Sequence, residues 1–480
     1  MLFKHFYDPK LAQASYLVGC AASGEALIVD PNRDIDQYLR AAAAEGMRIA
    51  HVTETHIHAD FVSGARELAA RTGAALYLSD EGDADWKYAY AKQDGAVPLK
   101  DGDTFKVGNI RVEAMHTPGH TPEHLSFLIT DTAATDRPMG VFTGDFVFVA
   151  DVGRPDLLEK AAKVSGTMES SARTLYRSLQ RFKTLPDYLQ IWPGHGAGSA
   201  CGKSLGAVPQ STVGYERIAN WALEDMTEDR FVARVLAAQP DPPPYFAEMK
   251  RTNKAGPRVL GDRERPPRPS AGAVVRLVEE RAPLIDIRPA AGFAAGHIPG
   301  TINIPGGKSF STWAGSLLSY DRDFYLLGAD DARTAEAVND LAMIGLDRVA
   351  GTFGPEALEA WRTAGRPLAT TAQMTTDELA AAVNAGQVNV LDVRSRSEWE
   401  HGHMPQATNV PLGDLEERLA DLPGGRPLVV HCQGGGRSAI AASVLQAHGI
   451  GDVMNLVGGL DAWTRAGQPT ERNVHTAVES

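Results

Sequence analysis

In the C-terminal half of this 480-residue chain, one block of sequence returns after 106 positions, counted from Asp286 to Asp392. Pro283-Leu-Ile-Asp-Ile-Arg288 with Gly296-His-Ile-Pro-Gly-Thr-Ile-Asn-Ile-Pro305 matches Val390-Leu-Asp-Val-Arg394 with Gly402-His-Met-Pro-Gln-Ala-Thr-Asn-Val-Pro411. Each copy continues with a second apolar run, Phe324–Leu327 or Leu428–His431, then a loop of small residues and a helical pattern. Short apolar strands alternating with helices bury both faces of a sheet, which is the signature of parallel α/β domains. The spacing predicts two such domains, over 271–368 and 373–472.

Upstream of the repeat, residues 238–270 are dense in proline, from Pro240-Asp-Pro-Pro-Pro244 to Pro266-Pro-Arg-Pro269. Proline removes backbone donors and favours extended chain, so a semi-rigid linker is expected there. Residues 1–237 then form one domain, in which strand patterns such as Glu25–Asp30 and Ile110–Met115 surround helical stretches 34–45 and 62–72. A sheet sandwich flanked by helices fits that alternation. A formal net charge of −13 without a basic run argues against nucleic acid or an anionic membrane as partner. No stretch reaches the roughly 20 apolar residues of a membrane span, and the N-terminus carries no leader pattern. Three widely spaced cysteines speak against a disulfide framework. A cytoplasmic protein is expected.

Thr55-His-Ile-His-Ala-Asp-Phe61 places His56, His58 and Asp60 within five residues after an apolar stretch, so a short loop can converge them on one ion. Further donors follow, each on a Gly/Pro turn: His120 and His124 in Thr117-Pro-Gly-His-Thr-Pro-Glu-His124, Asp145 in Phe142-Thr-Gly-Asp-Phe146, and His195 in Trp192-Pro-Gly-His-Gly196. Rigid turns hold ligands in place before a metal arrives. His5, His51 and His116 read as packing residues, and His124 as a pocket wall or a support for ligands. Cys201 lies six residues beyond His195, where a thiol near the metal that holds or receives sulfur and a small packed residue are equally good readings. Cys20 reads as packing.

These blocks resemble the metallo-β-lactamase superfamily over residues 1–235, and within it the persulfide dioxygenases, chiefly through Gly144-Asp-Phe-Val-Phe-Val-Ala-Asp-Val-Gly-Arg-Pro-Asp156. The resemblance implies an αββα sandwich and one Fe(II) per chain, held by His56, His120 and Asp145, with O₂ as co-substrate. It makes His58, Asp60 and His195 residues that orient ligands or waters. Two-metal hydrolases of the superfamily carry His where this chain has Phe61, and Phe cannot ligate, so the reading is pushed toward a single ion.

A second constellation is His431-Cys-Gln-Gly-Gly-Gly-Arg-Ser438, between an apolar strand and the helical run from Ala439. A Gly-rich loop entering a helix turns backbone N–H groups toward one point, and Arg437 adds a charge. Both favour a thiolate or bound persulfide on Cys432. This segment resembles rhodaneses, with Gln433, Gly434, Gly435, Gly436 and Ser438 forming the cradle. Four residues separate Cys432 from Arg437, one fewer than in the related phosphatases, which makes a sulfur-sized loop. In the first copy Gly328 occupies the cysteine position, and Asp330 and Asp331 would repel an anionic sulfur species, so that copy is expected to be inactive.

Nearly the whole chain resembles persulfide dioxygenase–sulfurtransferase fusions. The implied function is oxidation of a low-molecular-weight thiol persulfide to sulfite, coupled to sulfur transfer through Cys432 that yields thiosulfate, in a homo-oligomer. The rivals are a glyoxalase II-like zinc thioester hydrolase and a sulfur-carrier or redox-responsive protein with a vestigial metal site.

Overall fold

The computed structural model describes residues 1–157, 159, 166–203, 205–237, 239, 241–262 and 264–472. It divides into two compact units, Met1–Arg263 with Ala342–Gly345, and the remainder.

The first unit is built on two six-stranded sheets. One runs β1 (Leu2–Asp8), β2 (Gln13–Cys20), β3 (Glu25–Val29), β4 (Arg48–Thr53), β5 (Ala75–Ser79), β6 (Val97–Leu99) in spatial order. The other contains β7 (Thr104–Val107), β8 (Ile110–His116), β9 (Leu125–Asp131), β10 (Gly140–Gly144), β11 (Gln190–Pro193) and β12 (Ser211–Thr212), in the order β12-β11-β10-β9-β8-β7. Parallel neighbours need crossovers, and the helices Asp36–Ala44 and Ala65–Thr72 supply them for β3–β4 and β4–β5.

Strand β2 shows why the layers stack as they do. All eight of its residues are buried, because each face meets a different layer. Tyr16 and Val18 join Phe127, Phe142 and Trp192 between the sheets, while Leu17 joins Tyr38 and Leu68 beneath the helices. On the far side, the helix Met168–Phe182 buries Ala172, Leu175, Leu179 and Phe182, spaced three and four apart, against Val141 and Ile191. The result is the expected αββα sandwich.

The second unit holds the repeat as two all-parallel sheets. The first has the order β14-β13-β15-β16, from β13 (Leu284–Asp286), β14 (Ile302–Asn303), β15 (Phe324–Leu327) and β16 (Val349–Phe353). The second has the order β17-β21-β20-β18-β19, from β17 (Ala372–Met374), β18 (Asn389–Asp392), β19 (Thr408–Asn409), β20 (Leu428–His431) and β21 (Val453–Leu456). The repetition extends to single contacts. Asn303 Nδ2 donates to the carbonyls of Asp286 and Arg288, as Asn409 Nδ2 does to those of Asp392 and Arg394. Phe293 stacks on His297 as Trp399 stacks on His403.

The expectation of extended chain throughout 238–270 is corrected at Phe246–Ala255, which is a helix. Phe246, Met249 and Asn253 recur at a helical interval and are buried. No proline falls between Pro244 and Pro257, and proline is compatible with the approach to a helix N-terminus though not with its interior. Leu260 and Gly261 then donate backbone N–H groups to the Glu67 carboxylate at 2.6 and 2.8 Å, tying that stretch to the first unit.

Candidate functional site

Each metal-ligand candidate follows the C-terminal end of a strand: His56 after β4, His120 after β8, Asp145 after β10 and His195 after β11. The Tyr16 hydroxyl, deep in the sandwich, donates to the Pro193 carbonyl at 2.7 Å and anchors the last of these loops. Gly144 turns the chain in the left-handed region, at φ 48°. A Cβ there would lie 2.4 Å from Thr55 Oγ1 and 2.7 Å from His124 Nε2, so only glycine brings the Asp145 loop this close.

Hydrogen bonding fixes the imidazole tautomers. Thr55 Oγ1 donates to Asp30 Oδ2 (2.9 Å) and therefore accepts from His56 Nδ1 (3.0 Å), leaving the His56 Nε2 lone pair free. His120 Nδ1 donates to the Arg154 carbonyl at 3.0 Å, with the same effect. The two Nε2 atoms lie 3.8 and 3.5 Å from Asp145 Oδ2. His124 stacks on His56 at 5.1 Å, and its Nε2 accepts the Asp145 N–H, so its Nδ1 donates to Thr117 Oγ1. That makes His124 a support for the Asp145 loop.

His56, His120 and Asp145 are a group able to hold a metal ion, with ligand atoms mutually within 4.8 Å. All three are almost fully buried, and neither Asp145 oxygen has a hydrogen-bond partner. A buried carboxylate left this way is costly unless a cation completes it, so these residues fit a metal. Burial, together with the neighbouring His58, holds His56 well below the usual histidine range. Burial also lowers His120, so both stay neutral as ligands must. Burial alone would raise Asp145, but the neighbouring His195 outweighs it and holds the carboxylate well below its usual range.

The other candidates separate. His58 turns away from this group and donates Nε2–H to Asp30 Oδ1 at 3.2 Å. Burial opposes its protonation, yet Asp30 prevails and lifts it to about 9. Phe61 is wholly buried with its ring 4.5 Å from that of His58. Asp60, His195 and Cys201 form a second group of potential ligands beside Asp145. His5 and His51 pack against Tyr16 and Tyr77, and His116 bonds the Pro122 carbonyl. Cys20 sits in the intersheet core.

Several residues that hold this site were not singled out from sequence. Asp30, at positive φ, accepts the Thr55 N–H at 2.6 Å in addition to its bonds with Thr55 Oγ1 and His58. Glu123 Oε1 accepts the Ile57 N–H at 2.8 Å, between the two histidines of the loop. Asn253, on the helix Phe246–Ala255, donates to the carbonyls of His58 (2.8 Å) and Phe61 (2.7 Å) and accepts from the Ser63 N–H (2.9 Å). Replacing Asn253 by Ala strands three buried backbone groups. We expect a loss of about 3 kcal/mol of stability and roughly 10–100-fold weaker metal binding, read by thermal unfolding and metal titration.

In the second unit, β20 delivers Cys432 into a loop that closes on the helix Gly436–Ala447. Cys432 Sγ accepts from the Gly435 N–H at 3.2 Å and from Ser438 Oγ at 3.6 Å, so two residues of the expected cradle face the sulfur. Gly435 carries φ 97° at the turn into the helix. Gln433 accepts from Arg394 and donates to Asp461, which pins the loop from both sides. Arg437 brings less free charge than its sequence position suggests, because both its terminal nitrogens bind the Glu398 carboxylate at 2.6 Å. Glu398 belongs to a capping box with Ser395. Burial would raise it, but Arg437 wins and draws it down to about 2. At the matching position of the first repeat, a Cβ on Gly328 would fall 1.9 Å from Thr334 Oγ1, so the loop has closed over the place a cysteine would need.

Residues 8–195 match the metallo-beta-lactamase superfamily, and residues 270–351 and 375–466 each match the rhodanese-like domain. A probable metallo-hydrolase of Burkholderia pseudomallei (strain 1710b) is 32% identical over 259 residues, 48% of this chain and 84% of that protein. The chain belongs to the metallo-beta-lactamase superfamily. It is a superfamily member with rhodanese-like domains following the metallo-beta-lactamase domain. A metallo-beta-lactamase from Staphylococcus aureus subsp. aureus COL, known at 2.1 Å, is 44% identical with a TM-score of 0.66, covering 74% of this chain and 99% of that one. The mitochondrial persulfide dioxygenase of Bos taurus is 28% identical over 200 residues, 41% of this chain and 68% of that protein. Among the described residues, no helix is long and apolar enough to cross a membrane.

Proposed function

We propose that the chain is a non-haem iron persulfide dioxygenase joined to an active sulfurtransferase. The first site carries out R–S–SH + O₂ + H₂O → R–SH + SO₃²⁻ + 2H⁺. The observation that carries this reading is the buried His56, His120 and Asp145 set with Phe61 at the place of a further histidine. Two imidazoles and one carboxylate leave open positions on an ion, as an oxygenase needs. His56, His120 and Asp145 would hold Fe(II), which would supply the redox chemistry for activating O₂ toward the persulfide.

The protein's own part is positional. Thr55 and the Arg154 carbonyl aim the two imidazoles, and His124 supports the backbone that presents Asp145. Phe61 and the three ligands are buried, which shields this pocket from bulk water. On the second unit, the Cys432 thiolate attacks the outer sulfur of a persulfide. The S–S bond breaks, R–S⁻ leaves with the electron pair, and Cys432–S–SH remains. Sulfite then attacks that terminal sulfur through its lone pair, returning the Cys432 thiolate and releasing thiosulfate. The Gly435 N–H and Ser438 hydroxyl stabilise the sulfur anion at both stages. Gly328, with no nucleophile, leaves the first repeat without this chemistry.

The test is O₂ consumption by iron-loaded protein given glutathione persulfide, with sulfite and thiosulfate quantified. One O₂ consumed per persulfide supports the reading. Iron-free protein that hydrolyses thioesters and takes up no O₂ would overturn it.

A further inference from the structure

The first repeat builds the same helix without a counterpart of Glu398. At the repeat's own spacing, Gly292 stands in place of Glu398 and Pro289 in place of Ser395, so both members of the capping box are missing. The helix Ala290–Ala295 forms all the same, and Phe293 stacks on His297 as Trp399 does on His403, with ring centroids 3.8 and 3.7 Å apart. Folding of this element does not demand the carboxylate. Arg333, which corresponds to Arg437, pairs with Asp330 of its own loop at 3.6 Å. The Glu398–Arg437 pair thus accompanies the repeat that has a nucleophile.

In that repeat Arg437 lies between Glu398 and the sulfur. Its Nη1 and Nη2 donate to the two Glu398 oxygens at 2.6 Å each. Burial works against the Arg437 charge, but Glu398 and, after it, the Cys432 sulfur favour it and raise the group above its ordinary value. Glu398, drawn down to about 2, is ionised wherever Cys432 reacts. Arg394, the other guanidinium at the loop, is matched by Asp392 at 2.7 Å, and Asp461 adds a carboxylate beside Gln433. The cradle therefore presents N–H donors whose positive charge is already balanced by carboxylates.

That balance separates the two halves of the transfer. The persulfide reacts as uncharged R–S–SH, whereas sulfite arrives and thiosulfate leaves as oxyanions. We propose that Glu398 is a specificity-determining residue that acts through Arg437, cancelling its charge so that the cradle holds oxyanions weakly and releases thiosulfate. The inference rests on the sulfur-transfer half of the proposed function. In that step the sulfite lone pair forms a bond to the terminal sulfur of Cys432–S–SH. The bond between that sulfur and Cys432 breaks, its electron pair returns to Cys432, and the S–H proton passes to solvent. The guanidinium N–H groups that Glu398 leaves unused orient the oxygens. An uncancelled charge would hold product as well as reactant and slow release.

Full-length protein is assayed without O₂, so that the first site makes no sulfite, with glutathione persulfide as donor and sulfite as acceptor. Glu398→Gln keeps the length of the side chain and an oxygen for the cap, and circular dichroism checks the fold. The expected result is a sulfite KM lowered about fivefold, with thiosulfate inhibition tightened by the same factor. Both differences from the parent should shrink in high salt, which screens a charge effect and not a change of shape. Glu398→Asp restores the negative charge and should bring both values back toward the parent. A sulfite KM that is unchanged or raised in folded Glu398→Gln, or a lowered one indifferent to salt, would refute the role of Glu398. A parent that forms no thiosulfate from persulfide and sulfite would instead overturn the sulfur-transfer reading itself, and this inference with it.

Discussion

Asp145→Ala should lower O₂ consumption at least about a thousandfold, while sulfur transfer through Cys432 stays within about twofold of the parent. The size of the effect follows from what the carboxylate does. It is the only anionic member of the His56, His120, Asp145 group, and its oxygens have no partner in the protein that could be kept in its absence. Alanine leaves two neutral imidazoles, too little to retain a divalent ion in a buried pocket. An oxygen electrode, metal analysis and a sulfurtransferase assay on the same sample make the comparison. Unchanged O₂ uptake would show that the ligand set is wrong, whereas loss of both activities would point to unfolding. Asp145→Asn keeps the shape and separates these cases, retaining the fold but not the metal.

Cys432→Ser is the mirror experiment. Sulfur transfer should fall to background, because a hydroxyl held by the Gly435 N–H neither ionises nor accepts sulfane sulfur at neutral pH. O₂ uptake should persist, and the product should shift from thiosulfate to sulfite. Chromatography of the sulfur oxyanions reads this directly. Thiosulfate formed at the parental rate would mean that sulfite is captured elsewhere, and the role given to Cys432 would fall.

Much of this was legible in the sequence because it is local. The candidate ligands announce themselves at strand ends, His56 in a His-x-His-x-Asp run and the later ones on Gly/Pro turns, and the cysteine loop is six consecutive residues between a strand and a helix. The repeat survives as matching text, down to Asn303 and Asn409. What stayed hidden depends on distant pairing. Asn253 reaches a loop 195 residues away in sequence, inside a stretch whose prolines masked a helix. Glu398 reads as a capping-box acid, and nothing in its neighbourhood announces that it also neutralises Arg437 39 residues on. Asp30 closes a strand like any turn residue, and only its left-handed backbone aims it at both Thr55 and His58. Cys201 could be weighed as a thiol near a metal, but its alignment with Asp60 and His195 is a property of the folded loops.

The proline run before Tyr245 looks like a natural place to cut the chain, and the Asn253 contacts say otherwise. A metallo-beta-lactamase fragment ending at 237 would discard the side chain that fastens the backbone around His58 and Phe61, together with the strap that Glu67 grips. Portability of this unit, whether by gene fusion in evolution or by excision at the bench, therefore requires the helix Phe246–Ala255 and the stretch through Gly261 to travel with it.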